Sequence, residues 1–295
     1  IRDSNYTIND KYLMTFTMRA DGSSKFASGN QWGYFPSLAL AWRISDEAFM
    51  RNSQEWLSNL KLRLSIGTAG NNRIPSGSLE TTYSLAGSGD KHIYFNNTSS
   101  VVLQRGKNLS NPNLKWETTL TRNIGLDFGF WNGRLSGSLD AYWNTTKDLL
   151  MQTTLPKGAG YEFQYQNFGQ TSNKGIELAL DAILVDQKDF GLNFNFNISY
   201  NQAKIDKLPT NKIWQSSGWG GSLIAGIDDF LIEEGGRLGE VYGYKLDGFY
   251  TTEDFTWDNG WKLKEGRVNP TESGMKVNNF GPGCPKLKAN ADGKI

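Results

Sequence analysis

The chain has 295 residues, with 31 Lys plus Arg against 30 Asp plus Glu, and its net charge of +1 favours neither nucleic acid nor an anionic surface. A single Cys and a single His exclude an internal disulfide and a Cys/His metal cluster. Mean hydropathy is −0.52 and no run of about 18 apolar residues occurs, which excludes a transmembrane helix but not a membrane barrel, since a barrel wall shows only alternate residues to lipid.

The opening, IRDSNYTINDKY, has no signal-peptide pattern and reads as a start removed by processing or truncation. Ile1 to Thr7 reads as the end of a strand and Asn9-Asp10 as a tight turn. In KYLMTFTMRADG, Tyr12, Met14, Phe16 and Met18 alternate with Thr15, Thr17 and Arg19, the period-two pattern of a strand with one wet face. A polar Gly/Ser connection leads to YFPSLALAWRI, where Leu38, Leu40, Trp42 and Ile44 share a face. SDEAFMRNSQEWLSN is expected to form a short amphipathic helix capped by Ser45 or Asp46. NLKLRLSIGTAGNN is a fourth strand, with Leu60, Leu62, Leu64 and Ile66 opposite Lys61, Arg63 and Ser65.

A long polar loop from Asn71 to Asn113 holds the only histidine, His92. The central stretch, Arg122 to Asn144, then reads as an amphipathic hairpin turning at Asn132-Gly133, a dipeptide that tolerates positive φ at both positions. An irregular stretch, Lys147 to Lys174, is expected to expose Tyr161, Phe163, Tyr165 and Phe168. The last hairpin pairs GIELALDAIL with FGLNFNFNISYNQ, where Leu192, Phe194, Phe196, Ile198 and Tyr200 alternate with Asn193, Asn195, Asn197, Ser199 and Asn201. Strands therefore fill about 1–204, and 205–295 reads as a long Gly-, Trp- and Asp-rich loop region.

The connections alternate short and long throughout, which places every long loop at one end. Outer-membrane barrels do this, with short periplasmic turns and long extracellular loops. Aromatics cluster at both ends: Phe130, Trp131 and Phe190 beside short turns, and Tyr142, Trp143, Tyr200, Trp32 and Tyr34 near long loops. Arg122 breaks the pattern by falling on the greasy face, which suits a rim position where its stem can snorkel. The fold class expected is all-β, an antiparallel transmembrane β-barrel segment of about eight strands. The competing reading is a soluble or surface-attached glycan-binding β protein whose greasy faces pack on each other, and a passive porin is a third option.

The runs RADGSSKFASGNQWGYFPSLALAWRISDEAF, LKLRLSIGTAGNN, NPNLKWETT, NIGLDFGFWNGRLSGSLDAYWNTTKDLL, NKGIELAL and LGEVYGYKLDGFY resemble the barrel of SusC/RagA-type TonB-dependent outer-membrane transporters. They occur in family order and cover nearly the whole chain. The resemblance implies a plugged barrel of about 22 strands in the outer membrane of a Gram-negative bacterium. It further implies import of oligosaccharides or peptides with a SusD-like surface lipoprotein, and energy from TonB. On that reading the chain is a piece of barrel wall without the plug, the TonB-contacting segment or the closing strands.

No catalytic constellation is present: His92 has no nucleophile in its loop, and GSGD (Gly87–Asp90) and GWGG (Gly218–Gly221) lack the strand-then-helix setting of a phosphate loop. No enzyme is expected. Trp214 and Trp219, with Tyr161, Phe163 and Tyr165, are candidate platforms for substrate or partner. Asn193, Asn195, Asn197, Asp127, Asp140, Glu177 and Asp181 form the wet face expected to line the lumen or meet the plug. The tail KANADGKI resembles the family's calcium-like D-x-N-x-D-G loop. There Asn290 and Asp292 fit, but Lys288 replaces the first carboxylate, so calcium binding and any other cofactor are not expected.

Overall fold

The computed structural model describes residues 1–85, 93–95, 98–100, 103–210, 212–215, 229–269 and 280–288. Eight strands form an antiparallel meander: β1 (Arg2–Ile8), β2 (Tyr12–Gly22), β3 (Trp32–Arg43), β4 (Leu57–Asn71), β5 (Glu117–Phe130), β6 (Leu135–Lys147), β7 (Gln170–Gln187) and β8 (Phe190–Lys207). Spatial order equals chain order, so each connection joins neighbours, and β1 and β8 are the two edges of the sheet. The connections at one end have 3, 13, 4 and 2 residues and those at the other 9, 45 and 22, so the expected alternation of short and long holds except at β3–β4, which is longer than β2–β3.

The registers stack the apolar positions into rows. Tyr6, Met14, Leu40, Leu64, Ile124, Ala141, Ile176 and Tyr200 lie opposite one another in succession from β1 to β8. The next row towards the short turns is Ile8, Tyr12, Trp42, Leu62, Leu126, Leu139, Leu178 and Ile198. Two more rows pass through Phe128, Leu180 and Phe196, and through Phe130, Ala182 and Phe194. Towards the long loops, Phe16, Leu38, Ile66, Arg122, Trp143 and Lys174 make the fifth row, the one into which cations intrude. On β5 these rows run from Arg122 to Phe130, about 27 Å along the strand, close to the apolar band of about 25 Å on a membrane barrel. Their side chains are open: Ile176 is 56% exposed and Ile198 57%. A continuous exposed apolar face of this extent marks contact with lipid or with another surface.

Local chemistry sets the turns. Asn9 and Asp10 both take positive φ (50° and 55°), as the sequence leads one to expect. The β5–β6 connection is wider than an Asn-Gly two-residue turn: it spans Trp131 to Arg134, with positive φ at Trp131, Asn132 and Gly133. The helix expected after Ser45 is absent. Two 3-10 segments, Ile44–Asp46 and Ala48–Ser53, take its place, with Glu47 extended between them. The cause is the Glu47 carboxylate, which accepts hydrogen bonds from Lys11 Nζ (3.1 Å), Tyr12 OH (2.7 Å) and Trp42 Nε1 (3.1 Å). These partners lie on β2, β3 and the first turn, so Glu47 ties two short connections together and interrupts the helix.

The chain divides into two compact units, Ile1–Ile213 with Ile232–Leu238, and Trp214–Leu231 with Gly239–Ile295. In the first, residues 235–238 return along the outer end of edge strand β8, where Ile205 N–H donates to Gly236 O and Gly235 N–H to Ile205 O. The second has its own small core, where Tyr250 and Phe255 are buried and Phe280 packs against both. There the Thr251 backbone N–H holds the Asp254 carboxyl below its ordinary pKa, with Arg267 also contributing.

Candidate functional site

The polar face of the sheet carries an ion cluster that alternation alone brings together. Lys61 and Arg63 sit two apart on β4, opposite Asp127 and Gly125 on β5, and Asp140 of β6 lies across from Gly125. The Arg63 guanidinium therefore reaches both acids: Nη2 is 2.8 Å from Asp127 Oδ1 and 2.9 Å from Asp140 Oδ2, and Lys61 Nζ is 3.4 Å from Asp127. Glu177 continues the Asp140 row and Asn197 the Asp127 row. Asp181 pairs with Asn195, whose Nδ2 donates to its carboxylate. Asp127, Asp140, Glu177, Asp181, Asn195 and Asn197 thus share one face. Asn193 follows on that face, beside the β-bulge at Ile183/Val185.

At the long-loop end, three connections converge on a separate core. Phe26 from β2–β3, and Ile74 and Leu114 from β4–β5, are buried together, with Trp116, Leu150 and Tyr165 packed against them. The β6–β7 connection is ordered for the same reason. Leu150–Thr154 pairs antiparallel with Phe163–Asn167, which pairs parallel with Asn108–Leu109. Tyr161, Phe163 and Tyr165 are accordingly half-buried rather than free, with Phe163 set edge-on to Tyr165 at 6.0 Å. Tyr161 stacks on Arg105, whose Cζ is 4.1 Å from the ring centroid.

Two clefts flank this small sheet. One, about 470 Å³, is lined by Asn111, Asn113, Gln164, Gln166 and Asn167, with the Lys115–Asp148 ion pair (3.0 Å) at its edge. Most of these amides hold the small sheet in place: Asn111 Nδ2 donates to Tyr165 O, Gln164 Nε2 to Ser110 O, and Asn167 Nδ2 to Lys115 O and Asp148 O. The other, about 310 Å³, is bordered by Arg105, Lys107, Lys157, Gly160, Tyr161 and Glu162. Trp214 lies in the strand Lys212–Gln215, with its side chain outside the described residues; Trp219, His92, Asn290 and Asp292 lie outside them altogether. Among the described residues no group of three or more His, Cys, Asp or Glu is placed to hold a metal ion.

The cations Lys61, Arg63, Arg105 and Lys157 were not among the candidates named from sequence. The only signal for the first two was charge at i and i+2 on a strand's wet face. Nothing local marked the second pair, which border one cleft because Asn108 pairs in parallel with Phe163, 55 residues on.

The family model for the TonB-dependent receptor-like β-barrel matches residues 3–275. The chain is 34% identical over 287 residues to the TonB-dependent receptor SusC of Bacteroides thetaiotaomicron, covering 92% of this chain and 26% of that protein. A TonB-dependent receptor of Formosa agariphila is 40% identical over 204 residues, covering 68% of this chain and 20% of its own. Among solved structures, the RagAB peptide importer in its closed-closed state superposes with a TM-score of 0.72 at 25% identity, over 98% of this chain and 28% of that one. The chain thus spans about a quarter of the length of these relatives.

Proposed function

Because this chain belongs to the TonB-dependent receptor β-barrel family, we propose that it is a section of the wall of an outer-membrane importer. The whole protein takes up oligosaccharides, works with a SusD-like surface lipoprotein, and draws energy from the TonB complex. The observation that carries this reading is the set of apolar rows on one face, two of them crossing all eight strands, with ions and amides on the other. Lipid covers the first face. The second, with Asp127, Asp140, Glu177, Asp181, Asn193, Asn195 and Asn197, lines the lumen or meets the plug. Open edges are not tolerated in hydrocarbon, so β1 and β8 pair with further strands of the same ring.

On the oligosaccharide reading, the cleft beside Gln164 and Asn167 is a polar surface open to hydroxyl groups. Peptide is the runner-up, because the RagAB relative is described as a peptide importer. The reading assigns the chain transport and no catalysis. Uptake of labelled oligosaccharide and labelled peptide, in cells with and without the full-length gene, tests it. Uptake of the sugar that is lost on deletion supports the proposal. Loss of peptide uptake alone would transfer it to the runner-up, and loss of neither would refute import.

A further inference from the structure

We propose that the cleft between Arg105 and Lys157 is a subsite for an acidic group, carboxylate or sulfate, on an oligosaccharide. This rests on the import reading and narrows its substrate to charged glycans. The parallel pairing of Asn108 with Phe163 sets residues 105–107 alongside residues 160–162, and Glu162 N–H donates to Lys107 O at 2.8 Å. Three cations, Arg105, Lys107 and Lys157, then border a cleft with a single acid, Glu162. Glu162 is already held by Lys107 at 3.0 Å. Arg105 and Lys157 have no carboxylate partner among the described residues. In a chain whose charges balance to +1, this local excess is a feature of the site and not of the composition.

The cleft is also shaped. Arg105 Nη2 donates to Gly160 O at 2.7 Å, and its Cζ lies over the Tyr161 ring, so the guanidinium is held by two contacts before any ligand arrives. Gly160 takes φ +74, and a Cβ there would come within 2.5 Å of Arg105 Nη2, so the close approach needs glycine. A fixed guanidinium keeps its remaining N–H donors for a bidentate anion, and Lys157 adds a point charge. The volume, about 310 Å³, is at the small end for ligand clefts, of the order of one charged sugar rather than a chain.

The test uses the full-length protein in detergent, with calorimetric binding of three sugar probes, trigalacturonate, a sulfated galactose trisaccharide and the neutral galactose trisaccharide, and of an acidic tripeptide beside them. We expect an acidic probe to bind more tightly than the neutral one. Arg105→Gln should weaken that probe about tenfold, Lys157→Gln should weaken it less, and the neutral probe should be unchanged by either. Which acidic probe responds identifies carboxylate or sulfate. Unheated gels of each variant show that the barrel is intact. Equal affinity for all three probes, or equal weakening of all three by Arg105→Gln, would overturn the subsite while leaving oligosaccharide import standing. Binding of an acidic tripeptide with no binding of any sugar would overturn both.

Discussion

The guanidinium of Arg63 lies directly over Gly125, so close that a Cβ built on the glycine would be 2.7 Å from Arg63 Cζ and 2.5 Å from Asp140 Oδ1. The absent side chain is what lets one arginine on β4 reach carboxylates on two strands beyond it. Gly125→Ala should displace the guanidinium and cost about 1 kcal/mol, because both blocking atoms end side chains that can swing away. Arg63→Gln should cost a similar amount, and the double variant no more than either alone. The midpoint of the heat-induced mobility shift of the full-length barrel measures this, and strictly additive losses would show that the two residues act separately.

The facing of β8 decides whether the apolar rows meet lipid. Arginine at Phe196 should cost about 2–4 kcal/mol and sharply lower the amount of folded barrel in the outer membrane, whereas Asn195→Arg should not. Single cysteines at positions 194, 196 and 198 of the intact protein should react with a lipid-soluble reagent and not with a water-soluble one. Protection from both reagents would mean a protein-covered face and would remove the membrane reading.

Glu47 sets an acid limit on the short-turn end. Hydrogen bonds from Tyr12, Trp42 and Lys11 bring its carboxyl down from the usual 4.5 to about 2. A carboxyl lowered by folding stabilises above its unfolded pKa and loses that contribution as pH falls through the folded value, so the window is pH 4.5 to 2. Hydrogen exchange of residues 8–12 and 42–48, taken relative to the intrinsic amide rate at each pH, should quicken over that window in the parent. In Glu47→Gln it should already be fast at neutral pH. A flat profile in the parent would show that the three hydrogen bonds do not hold the turns.

The outer core should be separable from the sheet. Leu114 is fully buried there, and Leu114→Ala typically costs about 2–5 kcal/mol at such a site. Since the cost falls on the loops, the connections β2–β3, β4–β5 and β6–β7 should become protease-sensitive while the barrel's mobility on an unheated gel stays normal. Loss of the folded barrel itself would show that loops and wall melt together.

The eight strands were legible because period two is written into each of them, and the short turns because Asn9-Asp10 and Asn132-Gly133 accept positive φ without strain. What stayed hidden depended on pairing between distant residues. The Ser45 region carries helix-like spacing, but the Glu47 carboxylate is claimed by Lys11, Tyr12 and Trp42, which no local pattern announces. The stretch around Phe163 looked irregular because its parallel partner, Asn108–Leu109, is only two residues long. Trp131 shows a third limit: a bulky residue at φ 51° follows from the wider turn and not from its own preference.

Phe26, Ile74 and Leu114 come from two connections, and Tyr165 and Leu150 from a third, yet all are packed as one body. Sequence drift in any one of these outer loops is therefore felt by the other two. Changing any one of these loops means revising all three in concert, much as Glu47 couples the β1–β2 and β3–β4 connections at the other end of the sheet. Grafting a single outer loop from a relative should fail where grafting the trio succeeds.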